Sequence, residues 1–325
     1  KRHSLITLIS TISITAIGFV STMYFAHTLG ASILGAYFLF LAYFEIFDLI
    51  GDGGIGKSAV KRISEGVDQS QFFSAFVTLR VIFFVFSIGI VLCAQFIFAP
   101  FRQSGYAPFL LIGLFGGLIF SLTSNTVYGS GKVGIYQISS FSNFAIKVTV
   151  QILAVALGYG FAGLAGGFIA GLFTAGLINL NFLSLKFSKF SLMHIKSMFD
   201  FSFWIFLSTS GSLIFAYADT IIIGFYLGNY DVGIYRTAFQ FTSIATFSTM
   251  TLYTVLYPKI SNWGTKGDIH AIQTALTQAF TYSLLLAVPV CIGGWILGDK
   301  LLYYLYGASF AAGALTLSVL LIVQV

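Results

Sequence analysis

The sequence predicts an all-α polytopic membrane protein, built as two parallel-repeat helix bundles around a central cavity with the second bundle incomplete. Three observations predict it. Only 8% of the residues are charged and 58% are hydrophobic, whereas soluble domains carry roughly 25% charge. So much apolar surface needs lipid as its solvent. Apolar runs of about 20 residues, the length that crosses a bilayer, recur along the whole chain. Two short motifs also return, one at a constant offset of 198 residues and the other at nearly that offset.

The spans follow in order. Lys1 and Arg2 precede an apolar run over 5–26 that is too long for a signal-peptide core, so it reads as an uncleaved first span. Further spans are expected over 34–56, 72–98, 108–128, 135–157 and 161–183. Ser184–Asp200, "SLKFSKFSLMHIKSMFD", mixes Phe, Leu and Met with Lys at roughly helical spacing. It predicts a short amphipathic helix on the cytoplasmic face, the alternative being a plain basic loop. Spans over 201–226, 233–257 and 273–297 come next, and a tenth starts near 309. The tenth reaches Val325 without a closing loop, which predicts a fragment or a naturally shortened form. The expected organisation is a six-helix bundle over 1–183, a linker over 184–200 and an incomplete bundle of about four helices over 201–325.

Orientation comes from the basic residues of alternate loops. Eleven of the sixteen Lys and Arg fall on one side, from Lys1 and Arg2 to Lys259 and Lys266. Only Arg102 and Lys300 fall on the other. The protein is therefore expected in the cell (cytoplasmic) membrane, multi-pass, with its N-terminus in the cytoplasm. The net charge of +6 lies in short loops and forms no basic stripe, so nucleic acid is not an expected partner. Cys93 and Cys291 stand alone in apolar runs, and His3, His27, His194 and His270 show no ligand spacing. Neither a metal nor a cofactor is expected.

"LGASILGAYFLF" from Leu29 and "LGNYDVGIYRTA" from Leu227 share Leu-Gly, then Gly, then Tyr at the same offset. "KRIS" (Lys61–Ser64) and "PKIS" (Pro258–Ser261) follow at nearly that offset. Six spans, an even number, separate the copies, so the repeats are parallel, the design of an alternating-access transporter.

The stretch "HTLGASILGAYFLFLAYFEIFDLIGDGGIGKSAVKRISEG" (His27–Gly66) resembles the second-helix region of prokaryotic polysaccharide flippases, of the O-antigen flippase kind. The likeness rests on Gly35 and Tyr37, Asp52 and Gly54, Ala59 and Arg62, and "LLYYLYGASF" (Leu301–Phe310) resembles the family's link into its tenth helix. That family belongs to the multidrug/oligosaccharidyl-lipid/polysaccharide exporter superfamily, along with the MATE antiporters. The resemblance is loose in its motifs but covers essentially the whole chain. It implies a MATE-like fold of twelve to fourteen helices, C-terminally truncated here, rocking between inward-open and outward-open states. It implies transport of polyprenyl-pyrophosphate-linked oligosaccharide for surface polysaccharide assembly. The partners it implies are that lipid-linked glycan, membrane lipids, and glycan polymerase or glycosyltransferase machinery.

Charges within spans cost about 2.5–3.5 kcal/mol each at the bilayer centre and so mark function. Lys147 lies near the middle of the fifth span on a stripe with Ser140, Asn143 and Gln151, stepping by 3, 4 and 4. The stripe faces either a wet cavity, where Lys147 would hold pyrophosphate, or a helix–helix seam with Lys147 paired to a carboxylate. Arg80 and Arg236 read equally as cavity cations or as side chains snorkelling to headgroups. Gln240 and Ser243 lie below Arg236 on one face. Glu45, Asp48 and Asp52 share a face of the second span at i, i+3 and i+7, and Glu45 corresponds to Ser243 by the repeat offset. Glu45, Asp48 and Asp219 are expected either to pair with the cations or to carry a coupling ion or proton. Asp52, Lys57, Lys61 and Arg62 form an expected cytoplasmic gate, with Asp52 meeting Lys57 or Lys61. The threonines of the first span, Thr7, Thr11, Thr15 and Thr22, read as packing.

A lipid-linked oligosaccharide flippase, which needs cavity cations, is thus the leading reading. A MATE-like cation-coupled exporter of organic cations, using Glu45, Asp48 and Asp219, is the alternative. A membrane-embedded glycan-processing enzyme fits least, because every loop is short and none carries a catalytic pattern. Gly51-x-x-x-x-Gly56-Lys57-Ser58 fits a bare phosphate-loop pattern, but it closes a hydrophobic helix instead of following a strand.

Overall fold

The computed structural model describes residues 2–324, with the side chains at 2–13, 99–100, 243–255, 258, 286 and 324 outside that description. Every regular element among the described residues is helical. Among the described residues seven helices are long and apolar enough to cross a membrane, and the protein is multi-pass.

Helix α1 (Arg2–Asp52) holds the first two expected spans end to end. The loop expected between them is a single kink at Gly30, whose φ of 74° lies in the left-handed region that a Cβ disfavours. The second span ends at Asp52, four residues early, because Gly53 (φ 56°) and Gly54 (φ 75°) turn the chain. A short helix that the sequence reading took for loop follows, α2 (Ile55–Ser64). It buries Ile55, Ala59 and Ile63 and exposes Lys57 and Lys61, so its amphipathicity fixes it on the bundle. Helices α3 (Gln69–Ile97), α4 (Ala99–Gln103), α5 (Ala107–Gly129), α6 (Val133–Ala156) and α7 (Gly160–Leu180) come next. The remainder comprises α8 (Leu192–Tyr226), α9 (Asn229–Lys266), α10 (Ile269–Tyr306), a 3₁₀ turn (Ala308–Gly313) and α11 (Ala314–Gln324).

The expected amphipathic helix over 184–200 does not form as a separate element. Residues 184–191 carry no helix, and 192–200 are the first turns of α8. Two things explain this. Ser191 and His194 form a capping box that starts α8 at Leu192. The preceding segment is tied elsewhere: Lys132 Nζ donates to Phe182 O (2.7 Å) and Ser184 Oγ (3.1 Å), and Ser188 N–H donates to Ser74 Oγ (2.9 Å).

The chain forms two compact units, 1–21 with 36–228 and 22–35 with 229–325. The first is centred on aromatic rings: Phe40 packs edge-on against Phe161 and Phe168, and Phe44 against Phe168. A second apolar cluster joins α2, α3 and α8 through Ile55, Ile63, Phe76 and Met198, all fully buried. The second unit buries Leu302, Tyr306, Phe310, Leu317 and Leu321, and Tyr230 Oη donates to Ser309 O (3.1 Å).

Candidate functional site

The charged residues of the second span resolve into two groups. Arg80 of α3 is 1% exposed. Its Nη2 donates to Asp48 Oδ1 at 2.7 Å, and its Nε lies 3.6 Å from Asp52 Oδ1. The guanidinium therefore does not snorkel; two carboxylates seven-tenths or more buried hold it inside. Gly51 makes room for it, since a Cβ there would lie 2.9 Å from Nη1. Asp52 also accepts from Ser121 Oγ (3.4 Å) and from Gly56 N–H (3.3 Å), and Asn125 Nδ2 donates to Ser121 Oγ (3.2 Å). Ser121 and Asn125 of α5 were missed in the sequence, although they stand at i, i+4 in the polar run "SLTSNT" inside a span.

The expected gate does not assemble. Asp52 goes to Arg80 and not to Lys57 or Lys61. Lys57 is exposed, Lys61 Nζ sits 4.1 Å over the Phe201 ring, and Arg62 pairs with Glu65 at 3.1 Å while donating to Ser197 O.

Glu45, on the same face of α1 and one turn before Asp48, is half-buried and outside the Arg80 network. It makes no hydrogen bond or ion pair with the described residues. Lys147 stands alike. It is half-buried near the middle of α6, and among the described residues it has no carboxylate partner and no hydrogen bond. Its ammonium lies 5.2 Å from the Phe144 ring centroid. The carboxylate pairing expected of a dry seam is thus not made.

The rest of the α6 stripe does form a seam. Helix α7 presents Gly163, Gly167 and Gly171 to it, small residues that let two membrane helices touch. A Cβ at Gly171 would sit 2.5 Å from Asn143 Oδ1, and one at Gly163 would sit 2.8 Å from Ala154 Cβ. Gln151 is 2% exposed, and its Nε2 donates to Tyr37 Oη (2.8 Å) and Leu164 O (2.7 Å). Gln151 therefore clamps α1, α6 and α7 and does not line a cavity. Tyr37, its partner, was legible only as part of the Gly-x-Tyr motif.

Three expected site residues lie elsewhere. Asp219 of α8 accepts from the N–H (2.6 Å) and Oγ1 (3.2 Å) of Thr220. Arg236 of α9 lies 5.3 Å over Phe239. Gln240 Nε2 donates to Thr22 Oγ1 at 3.3 Å. The side chains of Thr7, Thr11 and Ser243 lie outside the described residues. No cluster of three or more His, Cys, Asp or Glu able to hold a metal occurs among the described residues.

A family profile described as "Polysaccharide biosynthesis protein" matches residues 1–263. The chain belongs to that family. This polysaccharide biosynthesis family member is 26% identical over 324 residues to the "Probable low-salt glycan biosynthesis flippase Agl15" of Haloferax volcanii, covering 98% of this chain and 68% of that one. It is 23% identical over 329 residues to the "Probable flippase AglR" of the same organism, covering 100% and 68%. Among solved structures, its fold is similar to "Lipid II flippase MurJ, inward closed conformation", with TM-score 0.76, 18% identity and coverage of 97% and 70%. An inward-facing MATE family transporter of the MOP superfamily matches with TM-score 0.68, 16% identity and coverage of 96% and 77%. The MATE-like all-α fold expected from the sequence is thus the fold observed.

Proposed function

We propose that this family member is a flippase that moves a polyprenyl-pyrophosphate-linked oligosaccharide across the cytoplasmic membrane by alternating access, for surface glycan assembly. Two relatives that match nearly the whole chain are both named probable flippases, one of them a probable low-salt glycan biosynthesis flippase. The observation that carries the reading is the contrast between two in-span cations. Arg80 is matched by Asp48 and Asp52. Lys147 holds no such partner among the described residues, which leaves it to meet an anion. A lysine in a site of reduced dielectric attracts a pyrophosphate strongly, and no catalytic chemistry is asked of it. The N-terminus and the lysine-rich loops are assigned to the cytoplasm by their charge. The two repeats act as the two rocking bundles, and polymerase or glycosyltransferase machinery would supply and consume the glycan.

The experiment is export of surface glycan in cells that depend on this protein, at matched expression. Lys147→Ala is expected to abolish export, and Lys147→Arg to keep part of it. Full export by Lys147→Ala would end the pyrophosphate role. A second reading, cation-coupled export in the manner of the MATE structures, is favoured by Glu45, a carboxylate with no ion-pair partner among the described residues. Loss of organic-cation export with glycan intact would select it.

A further inference from the structure

The lysine-rich side of the first unit carries a groove that the transport reading does not use. It has a volume of about 460 Å³ and is lined by Arg62, Met193, Lys196, Ser197, Asp200 and Phe201. Helix α2 forms one wall and the start of α8 the other. Ser58 Oγ donates to Met198 O (3.0 Å), and Met198 is fully buried in the cluster with Ile55 and Ile63, so the two walls are in direct contact. Lys57 and Lys61 are exposed on α2 beside it.

Depth locates the groove. Lys196 precedes Phe203 by seven residues on α8, or about 10 Å of helix. From Phe203 and Trp204 onward α8 turns large apolar side chains outward, with Phe203 54% and Trp204 69% exposed, as a helix does once inside lipid. Exposed Leu192 and Met193 lie beside Lys196 on the polar side of that boundary. Apolar groups interleaved with lysines, two or three turns above a tryptophan, match the headgroup layer of a bilayer. Charge sets the sign of the occupant. With Arg62 and Glu65 paired to each other, Lys57, Lys61 and Lys196 still outnumber Asp200.

We infer that this groove is a binding site for the headgroup of an anionic phospholipid. The phosphodiester sits against Lys196, Lys61 and Arg62, and the acyl chains run down past Phe201 and Trp204. Asp200 weakens the site and does not build it. The site is independent of how cargo is held at Lys147.

The test uses the full chain with Trp263→Phe and Trp295→Phe, so that Trp204 is the only tryptophan. It is reconstituted in phosphatidylcholine bilayers containing either brominated phosphatidylglycerol or brominated phosphatidylcholine. Brominated phosphatidylglycerol is expected to quench Trp204 beyond its mole fraction. The preference should fall about fivefold per charge removed in Lys61→Ala and Lys196→Ala. It should survive in the Lys61→Arg/Lys196→Arg double variant and rise in Asp200→Asn. Lys259→Ala, an exposed charge on α9, should leave it unchanged. Equal quenching by the two lipids, or a preference retained in the double alanine variant, overturns the assignment. Reversal of quenching by millimolar inorganic pyrophosphate also overturns it, because the site would then take a free anion and not a lipid.

Discussion

Arg80 donates to Asp48 at 2.7 Å with its whole side chain buried, so the one pair ties α3 to α1 at membrane depth. A buried pair of this kind adds little net stability but is costly to break from one side. Arg80→Ala is expected to leave Asp48 and Asp52 facing each other without a cation and to lose about 3–5 kcal/mol. Thermal unfolding in detergent would measure it. Adding Asp48→Asn to Arg80→Ala should recover part of the loss; no recovery would mean that Arg80 acts through packing alone.

The α6–α7 seam invites a comparison of two forces. The Gln151–Tyr37 hydrogen bond is interhelical, and such bonds in membranes average about 0.6 kcal/mol. Overpacking a close contact costs about 1–3 kcal/mol. Gly167→Val, whose side chain would run into Gln151 and the backbone of α6, should therefore destabilise more than Tyr37→Phe. Ranking the two melting temperatures decides this; the reverse order would make the hydrogen bond the stronger tie.

Gly35 and Gly233 are the same position of the two repeats, and they pack on each other's helices. A Cβ on Gly35 would overlap Asn229 O, and one on Gly233 would overlap Ala31 O. Gly35→Ala and Gly233→Ala should each destabilise the second unit. Their effects should be strongly non-additive, since either alone already forces the helices apart. Additive losses in a double-mutant cycle would refute a shared contact.

Glu45 offers a test of energy coupling. A membrane potential supplies about 2.3 kcal/mol per charge per 100 mV. Glu45→Gln removes an ionisable group that makes no hydrogen bond or ion pair with the described residues, so the fold should persist. If Glu45 carries the coupling proton or cation, gradient-driven flipping in proteoliposomes should fall to the rate seen without a gradient. Unchanged gradient dependence would exclude it as the carrier.

Much of the fold was legible because lipid imposes a one-dimensional rule. Each span needs its own apolar length, so α3, α5, α6 and α7 were placed to within a few residues, while α8 starts nine residues before its expected span and α10 ends nine residues after its own. The failures were local. Gly30 kinks a helix where a loop was expected, because one glycine with positive φ suffices to redirect a chain. Helix α2 was missed because ten residues with buried Ile55, Ala59 and Ile63 are too short to read as a span. The 184–191 segment carries no helix because its backbone and flanking carbonyls meet Ser74 and Lys132, partners far away in sequence.

The site divides in the same way. By itself the sequence determined that ionisable side chains lie within spans and which helical face each occupies, since periodicity fixes direction around an axis. Only the tertiary structure decided which of them are matched. Arg80 found Asp48 and Asp52, Gln151 found Tyr37 and Leu164, and among the described residues Lys147 and Glu45 found no hydrogen-bond or ion-pair partner. Pairing depends on where other helices place their side chains, and those distances are set by packing between elements, which no local pattern encodes.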